Sequence, residues 1–262
     1  MKISLLQLNS SDDKEANLKK AQKYITDATT QKTDIVCLSE SFLYRGDDKE
    51  KEIEKLSSRY ITAFQEIAKT QNVNLILGSI IIATESASKA TNSCLIINRK
   101  GEIIYRYDKQ YMYDVERSDF TFRESDATQP GSKIGFFELD GVKMGVGICV
   151  DLRYPEYFRE LMKKGAEIIF LPSNFRKITG QLAWDILTKA RAIENQLYFC
   201  ACGQTGGTGL KERVGNSRIV SFDGKIISEI GEEEGVVSAD FNLEALREFR
   251  KEFPVLRQVK GF

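Results

Sequence analysis

About a dozen short apolar runs, most of them alternating or β-branched, are spread along this chain with few helix-length segments between them. One parallel sheet wound with helices cannot take so many strands, because every parallel crossover needs a connection of helical length. The pattern asks instead for two mixed sheets packed face to face with helices outside, a four-layer α-β-β-α sandwich of the α/β class. A chain of 262 residues, 42% hydrophobic and 29% charged, can bury such a core. No Pro/Gly/Ser-rich linker, repeat or low-complexity block divides residues 1–262, which are read as a single domain.

Lys plus Arg and Asp plus Glu number 38 each, so bulk charge favours neither nucleic acid nor an anionic membrane as partner, and a small molecule is expected. The apolar stretch from Met1 to Leu8 is too short for a signal peptide and soon meets Asp12, Asp13 and Glu15. No segment approaches the ~20 apolar residues of a spanning helix. Five cysteines, mostly within apolar runs, fit a reducing cytoplasm better than a disulfide framework. The chain contains no histidine, which excludes Cys-His and Ser-His-Asp hydrolases and any zinc site built on imidazole.

Ile3 to Leu8 alternates as a first strand, and Ser11 or Asp12 caps a helix carrying Leu18, Ala21, Ile25 and Ala28 on one face. Residues 34–38 form a buried strand that ends at Ser39-Glu40. A helix is expected from about 49 to 71, followed by strands at 75–82, 92–97 and 102–107, with Lys109 directly after the last. Residues 114–131 are irregular and polar, a length typical of functional loops, and contain Phe122-Arg123-Glu124-Ser125. Strands 134–139 and 142–148 turn around Asp140-Gly141 and deliver Cys149 to the start of a helix marked by Pro155 and closed by Gly165. Strand 166–171 leads to Pro172-Ser173-Asn174-Phe175, helix 182–193 follows, strands 197–202, 216–221, 226–230 and 236–241 complete the sheets, and helix 242–251 precedes a tail.

Cys149 thus sits on a strand-to-helix elbow, where a thiol stands at the lip of a sheet beside free backbone N–H groups. The bland reading is one more buried small hydrophobe. Without histidine, a nucleophilic Cys149 needs a carboxylate or a lysine as its base. Taken singly, Glu40 reads as a helix cap or solvated carboxylate, Lys109 as a surface lysine and Glu124 as an idle loop charge. Cys200 and Cys202 face the same side of a strand but lack the partners of a zinc site. Gly203 to Gly209 lacks the Lys-Ser/Thr and helix of a phosphate loop and reads as a flexible loop near the mouth of the site. Trp184 reads as a packing or pocket-wall aromatic.

Glu40, Lys109 and Cys149, each just beyond an expected strand, resemble in kind and order the Glu-Lys-Cys triad of the nitrilase superfamily of carbon–nitrogen hydrolases. Leu38-Ser39-Glu40-Ser41-Phe42 and Tyr107-Asp108-Lys109 are similar to the family's glutamate and lysine motifs. The run from Gly147 to Glu156 matches its cysteine motif residue by residue. Phe122 to Ser125, Lys189 to Tyr198 and Phe253 to Arg257 are similar to segments of the Nit branch, which includes omega-amidases and deaminated-glutathione amidases. Tyr111, Ala183 and Asn216 depart from it, standing where relatives commonly carry histidine. The resemblance implies that Glu40 takes the thiol proton, Lys109 stabilises the anions with a backbone N–H after the cysteine (that of Val150), and a thioester is hydrolysed by water. Glu124 positions the amide nitrogen or the water, while Asn174, Arg123 and Arg213 are substrate-binding or auxiliary.

The implied enzyme is a cofactor-free, metal-free amidase for a small linear carboxamide bearing a carboxylate, 2-oxoglutaramate-like or deaminated-glutathione-like. The alternatives are hydrolysis of an N-carbamoyl amine or nitrile, or a non-catalytic binding module. It also implies a homodimer on which the tail, about 252–262, docks across to the partner subunit.

Overall fold

The computed structural model describes residues 1–84 and 89–260. In chain order the elements are β1 (Lys2–Gln7), α1 (Lys14–Thr30), β2 (Ile35–Leu38), α2 (Lys49–Glu52), α3 (Arg59–Thr70), β3 (Asn74–Ile82), β4 (Thr91–Ile97) and β5 (Ile103–Asp108). A small hairpin, β6 (Asp114–Glu116) and β7 (Thr121–Arg123), precedes β8 (Phe136–Leu139), β9 (Val142–Val146), α4 (Pro155–Lys163), β10 (Ile168–Ser173) and α5 (Lys177–Asn195). The chain closes with β11 (Tyr198–Gly203), β12 (Arg218–Val220), β13 (Ile226–Glu229), β14 (Gly235–Asp240) and α6 (Leu243–Glu252).

Two six-stranded mixed sheets result, ordered β14-β1-β2-β3-β4-β5 and β13-β12-β11-β10-β9-β8. Each has a parallel centre, β1-β2-β3 in one and β9-β10-β11 in the other, flanked by antiparallel strands. The period-two alternation of the central strands assigns their side chains to layers. Leu5, Cys37 and Ile76 face the second sheet, while Leu6, Val36 and Leu75 face α1 and α3. Phe158 and Trp184, from α4 and α5, cover the second sheet's outer side. The expected α-β-β-α sandwich is therefore the fold. Among the described residues, no helix is long and apolar enough to cross a membrane.

Four local expectations are corrected. The cap of α1 is Asp13, which accepts the N–H groups of Glu15 and Ala16, rather than Ser11 or Asp12. The helix expected over 49–71 is two helices, because Glu54 leaves it to pair with the edge of β3: its N–H bonds Ile81 O at 2.8 Å, and its O accepts from Ala83 N at 2.8 Å. Ser58 then caps α3 through Ile61 N–H. The loop 114–131 contains β6, β7 and a one-turn helix at Glu124–Asp126, strands too short for alternation to be visible. Helix α5 starts at Lys177, earlier than expected, since Gly180 closes against the Phe175 ring instead of breaking the helix.

The tail also differs in part. A turn over Val255–Gln258 buries Leu256 on its own chain, while Phe253 is left 56% exposed. The last two residues of the expected tail, 261–262, lie outside the described residues. Asp140 and Gly141 have φ of 52° and 74°, the double left-handed turn that a two-residue hairpin requires.

Candidate active site

Glu40, Lys109, Glu124 and Cys149 come together at one end of the sandwich, in a pocket of about 580 Å³. Glu40 lies two residues beyond β2, bridged to Ser79 of β3. That approach needs Gly78, where a Cβ would stand 1.9 Å from Leu38 O and 2.4 Å from Ser39 O. Lys109 follows β5 directly, its N–H bonded to Asn92 O at 2.9 Å and its O accepting from Gly131 N at 2.8 Å. Cys149 opens a 3₁₀ turn with φ of 51°, the left-handed backbone of a nucleophile elbow.

The lysine is 1% exposed, and its Nζ donates to Glu40 Oε1 at 3.1 Å and to Glu124 Oε1 and Oε2 at 3.0 and 2.8 Å. Burial alone would lower the Lys109 pKa, but the charges of Glu124 and then Glu40 outweigh it and hold the ammonium well above its usual range. Glu124 is held below its ordinary value against the effect of burial, chiefly by the Lys109 charge and the Asn92 bond, so it stays a carboxylate. Asn92 Nδ2 ties the two acids together, reaching Glu40 Oε1 at 3.0 Å and Glu124 Oε1 at 2.9 Å, and Tyr113 N–H closes on Glu124 Oε2 at 2.8 Å. Asn92 was not anticipated. Its signal is an amide side chain within the polar start, Thr91-Asn92-Ser93, of a strand whose residues are all buried.

The Cys149 thiol is pushed well above its ordinary value, first by burial and then by the Glu40 charge, with Lys109 and the Asn174 N–H opposing. The resting group is therefore a thiol. Val150 is buried immediately after it, and the N–H groups heading the 3₁₀ turn lie outside that turn's own ladder. Asn174 follows β10, and its Oδ1 accepts from Arg213 Nε. Arg213 is 8% exposed and lines the pocket. Arg123 also lines it but turns toward Glu116, at 3.5 Å.

Asp151 was not singled out from the sequence as a site residue. It is fully buried, accepting Ile148 N–H and the Tyr107 hydroxyl at 2.7 Å each and Tyr111 N–H at 3.2 Å. One carboxylate thereby fixes the strand end that presents Cys149 to the strand end that presents Lys109. Burial pushes it up to about 6, with those three donors and the Lys109 charge opposing.

The remaining residues singled out from the sequence fall around this centre. Tyr111 stacks on Tyr154 with ring centroids 3.6 Å apart, Ala183 is half-buried on α5, and Asn216 accepts the Trp184 Nε1–H at 2.8 Å. Trp184 is a core residue with no exposed surface, packed on Phe175. Cys202 is buried and points its thiol at Leu6 O and Cys37 O, and the described residues include no cluster suited to a metal ion. Gly207 of the glycine-rich loop lines the pocket, as its expected place near the mouth requires.

A family profile for carbon–nitrogen hydrolases matches residues 2–251. The omega-amidase NIT2 of Xenopus tropicalis is 33% identical over 265 residues, covering 98% of this chain and 94% of that protein. The omega-amidase NIT3 of Saccharomyces cerevisiae is 32% identical over 269 residues, covering 98% and 92%. The crystal structure of S. cerevisiae Nit3, a member of branch 10 of the nitrilase superfamily, superposes with a TM-score of 0.89 at 30% identity over 100% of this chain and 97% of that one. The C. elegans NitFhit protein superposes with a TM-score of 0.91 at 29% identity, over 99% of this chain and 65% of that one. The match spans nearly the whole sandwich, the end that carries Glu40, Lys109 and Cys149 included, and this chain belongs to the carbon–nitrogen hydrolase family.

Proposed function

We propose that this protein is a thiol amidase acting on a small linear carboxamide that carries a carboxylate, 2-oxoglutaramate-like or deaminated-glutathione-like. The observation that carries the reading is the buried Lys109 ammonium held between Glu40 and Glu124 beside a thiol on a left-handed elbow. Relatives named omega-amidases support an amide as substrate.

Each step has a group suited to it. Glu40 takes the Cys149 proton as sulfur bonds to the amide carbon, and the new oxyanion is met by Lys109 and the Val150 N–H. The tetrahedral adduct collapses as the Glu40 carboxylic acid protonates the leaving nitrogen, releasing ammonia, or the amine of a substituted amide, and leaving a thioester. Glu40 then deprotonates a water that attacks the thioester, and the proton returns to sulfur as the acid departs. Glu124, fixed by four hydrogen bonds from three donors, holds Lys109 in place and faces the same pocket.

A second copy of the chain fits the outer face of α5. Ile178, Leu182 and Ile186 recur at helical spacing and are 45%, 72% and 54% exposed, with Phe253 and Val255 also exposed. We take the protein to act as a homodimer, and five free thiols suit a reducing, cytoplasmic setting.

Release of the acid, with ammonia or the amine as its co-product, from 2-oxoglutaramate, succinamate, deaminated glutathione, an N-carbamoyl amine and an aryl nitrile, compared under one condition, tests the reading. The anionic amides should lead in kcat/KM, and acid-quenched enzyme should carry the acyl mass on Cys149. A lead for the carbamoyl amine or nitrile would overturn the substrate class.

A further inference from the structure

Three of the arginines that line the pocket are left without an ion pair among the described residues. Its lysines are compensated: Lys109 by Glu40 and Glu124, Lys49 by Glu52 at 3.0 Å, and Lys211 by Asp47 at 3.0 Å. Arg123 pairs with Glu116 outside. Arg45, Arg176 and Arg213 remain, and none of them forms an ion pair among the described residues. Their bonds go to neutral acceptors: Arg45 Nη1 to Thr205 O at 2.7 Å and Nη2 to Asn9 Oδ1, Arg176 Nη1 to Leu210 O at 2.6 Å, and Arg213 to Asn174 Oδ1 and Lys211 O. Such bonds orient a guanidinium without neutralising it.

The three arrive from separate segments: Arg45 from the loop after β2, Arg176 from the cap of α5, and Arg213 from the loop before β12. Arg176 is further held over the Phe120 and Phe122 rings, 5.2 and 5.4 Å from their centroids, by the β6–β7 hairpin. Against them the pocket offers Asp12, which is exposed at the rim and has no ion pair among the described residues, and the one charge by which Glu40 and Glu124 together exceed Lys109. Glu234 acts on Arg45 but is already paired with Lys20 at 2.8 Å. The repulsion is felt at Arg213, lowered to about 10 by burial and then by the charges of Arg176 and Arg45. Like charges gathered in a poorly solvated cleft are stabilised when an anion enters.

We propose that Arg45, Arg176 and Arg213 form a polyanion subsite that selects carboxamides whose non-reacting part carries two negative charges over those that carry one. The proposal rests on the amidase reading for its substrate and on the uncompensated arginines for its specificity. Arg213 links the subsite to the chemistry, since it grips the side chain of Asn174, whose N–H faces the Cys149 thiol.

The test compares glutaramide, glutaric acid monoamide, the terminal monoamide of tricarballylic acid and 4-phosphonobutanamide at pH 8.5. Wild-type kcat/KM should rise at least about tenfold from the monoanion to a dianion, mainly through KM, as one added guanidinium–anion contact predicts. The last two amides distinguish a pair of carboxylates from one doubly charged group. Arg176→Gln and Arg45→Gln should each cut the dianion-to-monoanion preference by about fivefold or more with kcat changing less, and Arg176→Lys should recover part of it. A wild-type preference for the monoanion, or a preference unchanged in both variants, overturns the proposal.

If no amide in the series releases ammonia, the amidase reading fails by itself, and binding decides the subsite. Calorimetry on Cys149→Ala protein should find tricarballylate about tenfold or more tighter than glutarate, and the difference should shrink when Arg176→Gln is added. Equal affinities would sink the subsite whatever the catalytic outcome.

Discussion

Lys109 donates to both oxygens of Glu124, at 3.0 and 2.8 Å, but to only one oxygen of Glu40, at 3.1 Å. That asymmetry divides the two acids by task. Glu124 accepts from Asn92, Lys109 and Tyr113 and is held as a carboxylate, whereas the Asn92 and Lys109 bonds to Glu40 both fall on Oε1, which in the proposed reaction leaves Glu40 the freer to exchange a proton with Cys149 or the leaving nitrogen.

Glu124→Gln should therefore act through Lys109. A glutamine cannot accept at both positions, so its NH₂ group would face the Lys109 ammonium, the Asn92 amide or the Tyr113 N–H. Turnover should fall ~10²–10³-fold, about the effect of removing one oxyanion donor, with KM changing less. Activity within about threefold of wild type would make Glu124 an idle charge.

Glu40→Gln makes an opposite-signed pair of effects. Turnover should drop by at least ~10³-fold as the base is lost. The Glu40 charge is also one of the causes raising the Cys149 pKa, so removing it should move the pH midpoint of iodoacetamide alkylation down. Lys109→Met should move that midpoint up. Alkylation midpoints that shift the other way in the two variants would contradict the electrostatic arrangement.

Labelling should single out Cys149. Cys37, Cys94, Cys200 and Cys202 have no exposed surface, and burial raises the pKa of Cys37, Cys94 and Cys200, whereas Cys149 opens into the pocket. Limiting iodoacetamide should give one adduct, on Cys149, in step with loss of activity. Cys149→Ala should fold without turnover, and Cys149→Ser should be nearly as inactive. Preferential modification of another cysteine with activity retained would refute Cys149 as the nucleophile.

The sandwich was legible because β-strand alternation reports which residues share a face, and Glu40, Lys109 and Cys149 stood out because their order, each just past such a strand, resembles the triad of a known family. What escaped depends on contacts between distant segments. Glu54 leaves its helix for the edge of β3, Asn92 bridges two acids 52 and 32 residues away, and Asp151 reaches across to Tyr107 and Tyr111. The same limit applies to charge: Arg123, Lys211 and Arg213 look alike in sequence, but Glu116 and Asp47 neutralise the first two and leave the third.

Association should depend on α5. Leu182→Glu, at a position 72% exposed, sets a like charge against its copy across any two-fold axis that this face forms. Sedimentation should report a dimer for the wild type and a shift toward monomer for Leu182→Glu. Deletion from Glu252 onward, which removes exposed Phe253 and Val255, should weaken the dimer. A dimer unaffected by both changes would assign the interface elsewhere.

Asp151 gives the stability a pH dependence whose sign can be worked out. Burial raises its carboxyl from the ordinary 3.8 to about 6 in the fold, so between those values the folded protein holds a proton that the unfolded chain has released. Stability from this group is fully present below pH 3.8 and is lost as pH rises through 6. Between pH 5 and 7 the change amounts to roughly 1 kcal/mol for a shift of this size. Asp151→Asn removes the titration while every other acid remains, so the difference between the two stability curves isolates it. Urea unfolding at half-unit steps should find wild type losing ground to Asp151→Asn as pH rises. The variant should also lose turnover, because an asparagine that presents its oxygen to Ile148 N–H and Tyr107 turns an NH₂ toward Tyr111 N–H, loosening the link between Cys149 and Lys109. Parallel stability curves over this interval would mean that Asp151 is ionised throughout and contributes only its hydrogen bonds.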